Sequence, residues 1–198
     1  MRNSSARIIY SGLLFGLLSG AAALAGVPDF SVTAPGGPIP DEGIAVFPVV
    51  ISPKITIASM EVEIQDLSHT FPEDLDLYLI SPSGNFIELM TDRGGDDPIT
   101  NVDLVFRDSE TGIPGEPIVE GDYQPEGLFN STDAGFGKFV GGSSGVGSWL
   151  LLAIDSAADD TGSIGSFTLR GTVVPEPGVV ALLAVGALAF IRRRRTQS

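Results

Sequence analysis

The sequence contains no cysteine and only one histidine, His69. Without thiols the chain cannot form disulfides or thiolate zinc sites, and one histidine cannot build a metal centre of several histidines. Histidine is the usual general base near neutral pH, and the chain offers a single candidate. These absences exclude thiol catalysis and several classes of metalloenzyme.

Basic residues are also scarce, 11 against 25 acidic ones, and the formal net charge is −14. Six of the 11 are arginines at the two ends of the chain, whereas all 25 acids lie between residues 26 and 177 with only five bases. This central segment therefore carries a net charge of −20. Because phosphates are bound by Lys and Arg, the charge argues against nucleic acid as a partner.

The first 25 residues have the pattern of a secretory signal peptide. Arg2 and Arg7 precede a short apolar run, and Ala23 and Ala25 form an A-x-A pattern for cleavage by signal peptidase. The run is short for a spanning helix, which favours cleavage over a retained anchor. We therefore expect an N-terminal signal helix that is removed on export.

The C-terminal segment has three parts: a Pro-Glu-Pro sequence, an uncharged apolar run over 179–191, and an arginine cluster. A helix of 13 residues covers about 20 Å, less than a bilayer core of about 30 Å, so we expect only a transient anchor in the inner membrane. The arginines would hold its end on the cytoplasmic side. The residues of the two polar parts are Pro175, Glu176, Pro177, Arg192, Arg193, Arg194 and Arg195.

This tail, over 174–198, resembles the PEP-CTERM sorting signal of Gram-negative bacteria that make exopolysaccharide and live in biofilm. The resemblance implies recognition by exosortase, a membrane protease that removes the anchor. It also implies export across the inner membrane and a final location at the cell surface or outside the cell. A simple tail anchor is the alternative.

The central segment has the alternating pattern of an all-β domain. Met60, Val62 and Ile64 alternate with polar residues, and the same period continues in 74–80. The turn Ser81-Pro82-Ser83-Gly84 separates 74–80 from a second strand, which predicts a hairpin. The pattern predicts an antiparallel, jelly-roll-like β-sandwich of about eight strands. The further strand candidates are 44–51, 86–90, 102–106, 149–154 and 167–173.

Several of these stretches together are similar to the P domain that follows the catalytic domain of proprotein convertases and bacterial subtilisin-like proteases. The stretches are His69-Thr70, Asp74-Leu75, 79–84, Arg93-Gly94-Gly95, 147–150 and 161–169. The resemblance covers 38–173, with Ser148 where the family often has Thr and a longer insertion over about 109–147. We expect 26–37 to be a short linker that leaves no room for a catalytic domain.

Two features could suggest catalysis, but each has a simpler explanation. Residues 141–145 match G-x-S-x-G, yet the flanks predict neither the strand nor the helix that a nucleophile elbow needs, so Ser143 is expected in a loop. His69 is expected to hold the following loop by a hydrogen bond, and Trp149 lies in an apolar strand that predicts a core position. We expect no catalytic residue.

The acidic residues are the basis for one metal-binding hypothesis, a calcium site. Asp74, Asp76, Asp92, Asp155 and Asp160 lie in three turn regions, and Ca²⁺ takes six to eight oxygen ligands from flexible loops. Some P domains bind calcium, so the resemblance adds support. No EF-hand spacing is present. The alternative is a solvated acidic surface that keeps an exported protein soluble.

The leading functional hypothesis is a non-enzymatic, exported cell-surface or matrix protein processed by exosortase. One alternative is an accessory module that acts in trans on a secreted subtilisin-like protease. Another is an exopolysaccharide-binding module, although the chain has one Trp and three Tyr for stacking against sugars.

Overall fold

The structure is a computed structural model that describes residues 30–52, 55–127, 135–140 and 145–174. The signal helix and the hydrophobic helix expected at the two ends lie outside these residues. The described part is nearly all β, with nine strands and two single-turn 3-10 helices, Pro72–Asp74 and Phe136–Lys138. The strands are β1 (Phe30–Ile39), β2 (Ile44–Ile51), β3 (Ile57–His69), β4 (Leu75–Ile80), β5 (Phe86–Met90), β6 (Ile99–Arg107), β7 (Gly121–Tyr123), β8 (Gly147–Asp155) and β9 (Gly162–Val173).

The strands form two sheets, which confirms the predicted sandwich. One sheet has five strands in the order β1-β9-β3-β6-β7, and the other has four in the order β2-β8-β4-β5. Every pairing between named strands is antiparallel except that of β6 with the short β7, which is parallel. The predicted hairpin is the β4–β5 pair, closed by a turn in which the Gly84 N–H donates to the Ser81 carbonyl oxygen at 2.9 Å.

The core lies between the sheets because alternate side chains of each strand point inward. In β4 the three inward leucines, Leu75, Leu77 and Leu79, are fully buried, and Trp149 of β8 is only 2 % exposed. The indole N–H of Trp149 donates to the Gly145 carbonyl oxygen at 2.9 Å, so its one polar atom is satisfied. The predicted core position of Trp149 is confirmed.

The sequence predicted a linker over 26–37, but residues 30–37 of it belong to β1. This strand pairs with β9 from Phe30↔Gly171 to Ile39↔Gly162. Its Pro and Gly residues at 35–38 are unfavourable in a strand interior, but β1 is an edge strand, where a missing N–H can face solvent. Gly36 suits a close approach, since a Cβ there would collide with the Ile164 carbonyl group.

Candidate functional site

One end of the sandwich holds a buried pair of polar side chains, a histidine and an aspartate, between the two sheets. His69 is the last residue of β3 in the five-stranded sheet, and Asp155 is the last residue of β8 in the four-stranded sheet. The His69 Nε2 lies 3.4 Å from the Asp155 Oδ2, and both side chains are 0 % exposed. The pair therefore joins the ends of two strands that are far apart in sequence.

The remaining polar atoms of the pair are used within the fold. The His69 Nδ1 lies 2.9 Å from the Phe71 carbonyl oxygen and accepts from the Phe71 N–H at 3.2 Å, while the Asp155 Oδ1 accepts from the Ala157 N–H at 3.2 Å. The ring also packs on Gly162, where a Cβ would lie 2.4 Å from His69 Cδ2. His69 thus holds the loop after β3, as predicted from the sequence.

Loops on this end are tied together by a second set of hydrogen bonds. The Thr70 hydroxyl donates to the Asp160 Oδ1 at 2.9 Å and accepts from the Thr161 N–H at 2.9 Å. The Asp160 N–H donates to the Asp41 Oδ1 at 3.2 Å. These bonds connect the β3–β4, β8–β9 and β1–β2 loops beside the buried pair.

Asp74 lies in the same group of loops. Partial burial first, and then the carboxylates of Asp160 and Asp155, raise the pKa of Asp74 above its ordinary value, while His69 opposes the shift. A hydrogen bond between the Asp74 and Asp160 side chains contributes to the raised pKa, because the proton is held between two like charges. We call Asp74, Asp155 and Asp160 the loop carboxylates.

A second acidic group, the corner acids, lies at the β4–β5 end of the four-stranded sheet and comprises Asp76, Glu88, Asp92 and Glu126. The Asp92 N–H donates to the Asp76 Oδ1 at 3.3 Å. Burial raises the pKa of Asp76 to about 6; its hydrogen bond to Asp92 opposes the shift, and the other three carboxylates add to it. Arg93 offsets part of this charge through its bond to the Glu126 Oε1 at 2.7 Å.

The five predicted calcium ligands are therefore divided between two places. Asp74, Asp155 and Asp160 are loop carboxylates, whereas Asp76 and Asp92 are corner acids. Within the described residues, no group of three or more His, Asp or Glu side chains is arranged to hold a metal ion. Asp155 faces His69, a contact that sequence reasoning missed because the two residues meet only through sheet order. Calcium binding stays a prediction.

The predicted processing sites and the G-x-S-x-G stretch belong to segments outside the described residues. Ala23, Ala25, the Pro-Glu-Pro sequence, the arginine cluster and Ser143 all lie outside the described residues. In the described part of the chain, no helix has the length and hydrophobicity needed to cross a membrane.

Comparison with known protein families gives a match in the C-terminal segment of the chain. Residues 173–195 match the family model described as the PEP-CTERM protein-sorting motif. The chain carries a PEP-CTERM sorting tail. Since β9 ends at Val173, the PEP-CTERM tail begins where the sandwich ends. The motif marks an exported protein that is anchored through its C-terminus until exosortase processes it.

Other comparisons give weaker similarity. No curated protein sequence matches the chain. Among solved structures, the serine protease of Aeromonas sobria matches at 16% identity and a TM-score of 0.41, over 77% of this chain and 28% of that one. The same protease in complex with its chaperone matches at 16% identity and a TM-score of 0.42, over 73% and 27%. The chain thus spans about a quarter of the length of these proteases.

Proposed function

We propose that the protein is a non-enzymatic component of the cell surface or extracellular matrix, delivered there by its PEP-CTERM tail. The observation that carries the proposal is the position of the sorting motif directly after the last strand of the sandwich. Removal of the tail behind Val173 would leave β9 and the whole sandwich intact. The exported product is then a compact acidic β-domain.

The chemistry of the buried pair supports a structural rather than a catalytic role for the single histidine. Both side chains of the His69–Asp155 pair are 0 % exposed, so a substrate cannot reach the imidazole without local unfolding. The sequence resemblance to P domains supports a module that binds or stabilises a protein partner. The acidic surface suits an exported domain that must remain soluble in a crowded matrix.

The test follows processing and location together. The full chain is expressed in a host with exosortase and in the same host lacking it, and the protein is followed by intact mass in membrane, matrix and medium. With exosortase we expect loss of the first 25 residues and of the arginine cluster, and recovery outside the membrane. Without it, the arginine cluster should remain and the protein should stay in the membrane fraction.

A matched pair of variants separates the motif from general effects. Replacement of Pro175, Glu176 and Pro177 by alanine should block tail removal. Replacement of Asp97 and Pro98 by alanine changes an acid–proline pair in an exposed loop of the sandwich domain and should leave processing unchanged. Mature protein that retains Arg192 to Arg195 in the presence of exosortase would contradict the proposal.

A further inference from the structure

The two ends of the sandwich differ in charge. The loops beside the buried pair, at what we call the loop end, are 40–43, 70–74, 91–98 and 156–161. They contain nine acidic residues and a single base, Arg93. Much of the acidic charge of the domain is therefore at the loop end. The acids are Asp41, Glu42, Glu73, Asp74, Asp92, Asp96, Asp97, Asp159 and Asp160.

The opposite end, which we call the tail end, is where the chain leaves the sandwich. Strand β9 ends there at Val173, which is in register with Ile57 at the start of β3. The Val174 N–H then donates to the Thr56 carbonyl oxygen at 2.8 Å. The folded domain therefore holds the chain up to the residue directly before the Pro-Glu-Pro sequence.

Three valines at the tail end are exposed. Val50, Val146 and Val174 have exposed fractions of 61%, 36% and 46%. Val50 lies at the end of β2, Val146 directly before β8 and Val174 directly after β9. Beside them are the half-buried Ile55 and the exposed Pro82. We call these five residues the exit patch.

Contacts bring the exit patch together around the point where the chain leaves. The Gly145 N–H donates to the Ile55 carbonyl oxygen at 3.0 Å, which places Val146 beside Ile55. A Cβ at Gly147 would lie 2.7 Å from the Pro82 Cβ, so the turn after β4 packs against the start of β8. The end of β2 pairs with the same part of β8. The hydrogen bond from the end of β9 is made to the residue after Ile55.

The turns around the exit patch are uncharged wherever the structure describes them. These residues are 52, 55, 56, 81–85, 145 and 146. In the five-stranded sheet, Arg107 ends β6 and is followed by Asp108 and Glu110, so charges of both signs lie at that side of the tail end. The exit patch is therefore separated from the acidic loop end by the length of the sandwich.

The sorting tail limits how far the tail end can lie from the membrane. Only residues 175–178 separate Val174 from the apolar run at 179–191, and an extended chain from residue 174 to residue 179 covers at most about 17 Å. A helix over the apolar run would be about 10 Å shorter than the bilayer core. Such a mismatch is met by thinning of the bilayer or by drawing flanking residues toward it. Either response keeps the tail end close to the headgroups.

We propose that the exit patch contacts the phospholipid headgroup layer while the tail is anchored. The loop end then points away from the membrane, because anionic lipids repel its acids and the nine residues of β8 separate the two ends by about 30 Å. Even one acyl chain gives only marginal membrane binding, so this small patch cannot hold the domain once the tail is removed. The inference rests on the proposed function, since it requires a tail that is anchored before processing.

The test uses the absence of cysteine, because a single introduced cysteine then labels one place. The chain that keeps its tail is purified from a host lacking exosortase and reconstituted into vesicles of phosphatidylethanolamine and phosphatidylglycerol. Val146→Cys carries a fluorophore, which phospholipids with a nitroxide on the headgroup quench at short range. The matched control is Val119→Cys, at a side chain that is 57% exposed; its neighbour Ile118 packs near Gly94 of the loop end.

We expect quenching at position 146 to be at least about twice that at position 119, because only a probe at the interface lies within reach of the headgroups. Pro82→Cys, a second position in the exit patch, should behave like Val146→Cys. Adding Val50→Glu should reduce quenching at position 82 by at least about half, since a charge opposes burial at the interface, whereas adding Val119→Glu should not. Thermal melts check that each variant is folded.

The outcomes separate this proposal from the proposed function. Equal quenching at positions 146 and 119, in a chain that stays with the vesicles, overturns the membrane contact and leaves the sorting role intact. Quenching at position 82 that Val50→Glu does not reduce shows that the tether alone sets the position, and it also overturns the contact. A chain that keeps its tail but does not stay with the membrane overturns both.

Discussion

At the residue scale, Trp149 shows how much one side chain contributes to this core. It is the largest buried side chain, it packs edge-on against Phe139 at 5.2 Å between ring centres, and its N–H satisfies the Gly145 carbonyl oxygen. We expect Trp149→Ala to lower the unfolding free energy by about 3–5 kcal/mol in urea denaturation, because it leaves a cavity and an unpaired carbonyl. Ile113→Ala, at an exposed position, should cost less than about 0.5 kcal/mol. A small loss for Trp149→Ala would contradict the packing described.

Asp76 should lower the stability of the folded protein as the pH rises. A carboxylate whose pKa is lowered by folding has the opposite effect. Its pKa is raised to about 6 in the folded protein, so the folded state holds the proton more tightly than the unfolded state does. Stability from this group is therefore present below about pH 4 and is lost as the pH rises to about 6. Asp76→Asn keeps an oxygen that can accept from the Asp92 N–H but removes the charge.

The expected result for Asp76→Asn is a higher melting temperature than the native protein at pH 7 and an equal one below about pH 4. Asp97→Asn, the same change at an exposed position, should alter neither value. Thermal melts from pH 3 to pH 8 measure both. A native protein that is at least as stable as Asp76→Asn at pH 7 would show that the Asp76 charge does not destabilise the fold.

At the scale of elements, β1 marks the limit of local patterns. Strands β3 and β4 were predictable because buried apolar residues alternate with polar or half-buried ones, which gives a period of two in the sequence, and β8 was predictable as a short apolar run. Residues 30–39 lack that period and contain two prolines and two glycines. They become a strand only because β9 offers an unpaired edge, which no local pattern reveals.

The same strand gives a prediction about the domain boundary. Removal of residues 30–37 would uncover the β9 edge and expose core side chains such as Phe167 and Leu169. We expect a fragment of residues 38–174 to melt well below a fragment of residues 30–174 and to aggregate, since an open edge pairs with other chains. Circular dichroism melts and light scattering measure the difference. Equal melting and solubility would show that β1 is dispensable.

At the scale of the whole molecule, the acidic charge is the dominant electrostatic property. The sequence prediction of calcium binding implies that CaCl₂ raises the melting temperature of the processed protein more than MgCl₂ or NaCl at matched ionic strength. A hundredfold excess over Kd corresponds to about 2.7 kcal/mol. If the loop carboxylates bind the ion, Asp74→Asn should reduce the calcium effect and Asp76→Asn should not. Equal shifts in all three salts would indicate screening of an acidic surface without a site.

The sequence by itself determined the β class, most of the strands and the PEP-CTERM tail, because each depends on residues that are neighbours in the chain. The tertiary structure decided which strands share a sheet, and with that the His69–Asp155 pair and the division of the acids into loop carboxylates and corner acids. It also decided that the apolar run of β2 has one face in the core and the other in solvent. A continuous apolar run is the same in sequence whether one or both faces are covered, and only the arrangement of the described strands in two layers distinguishes them.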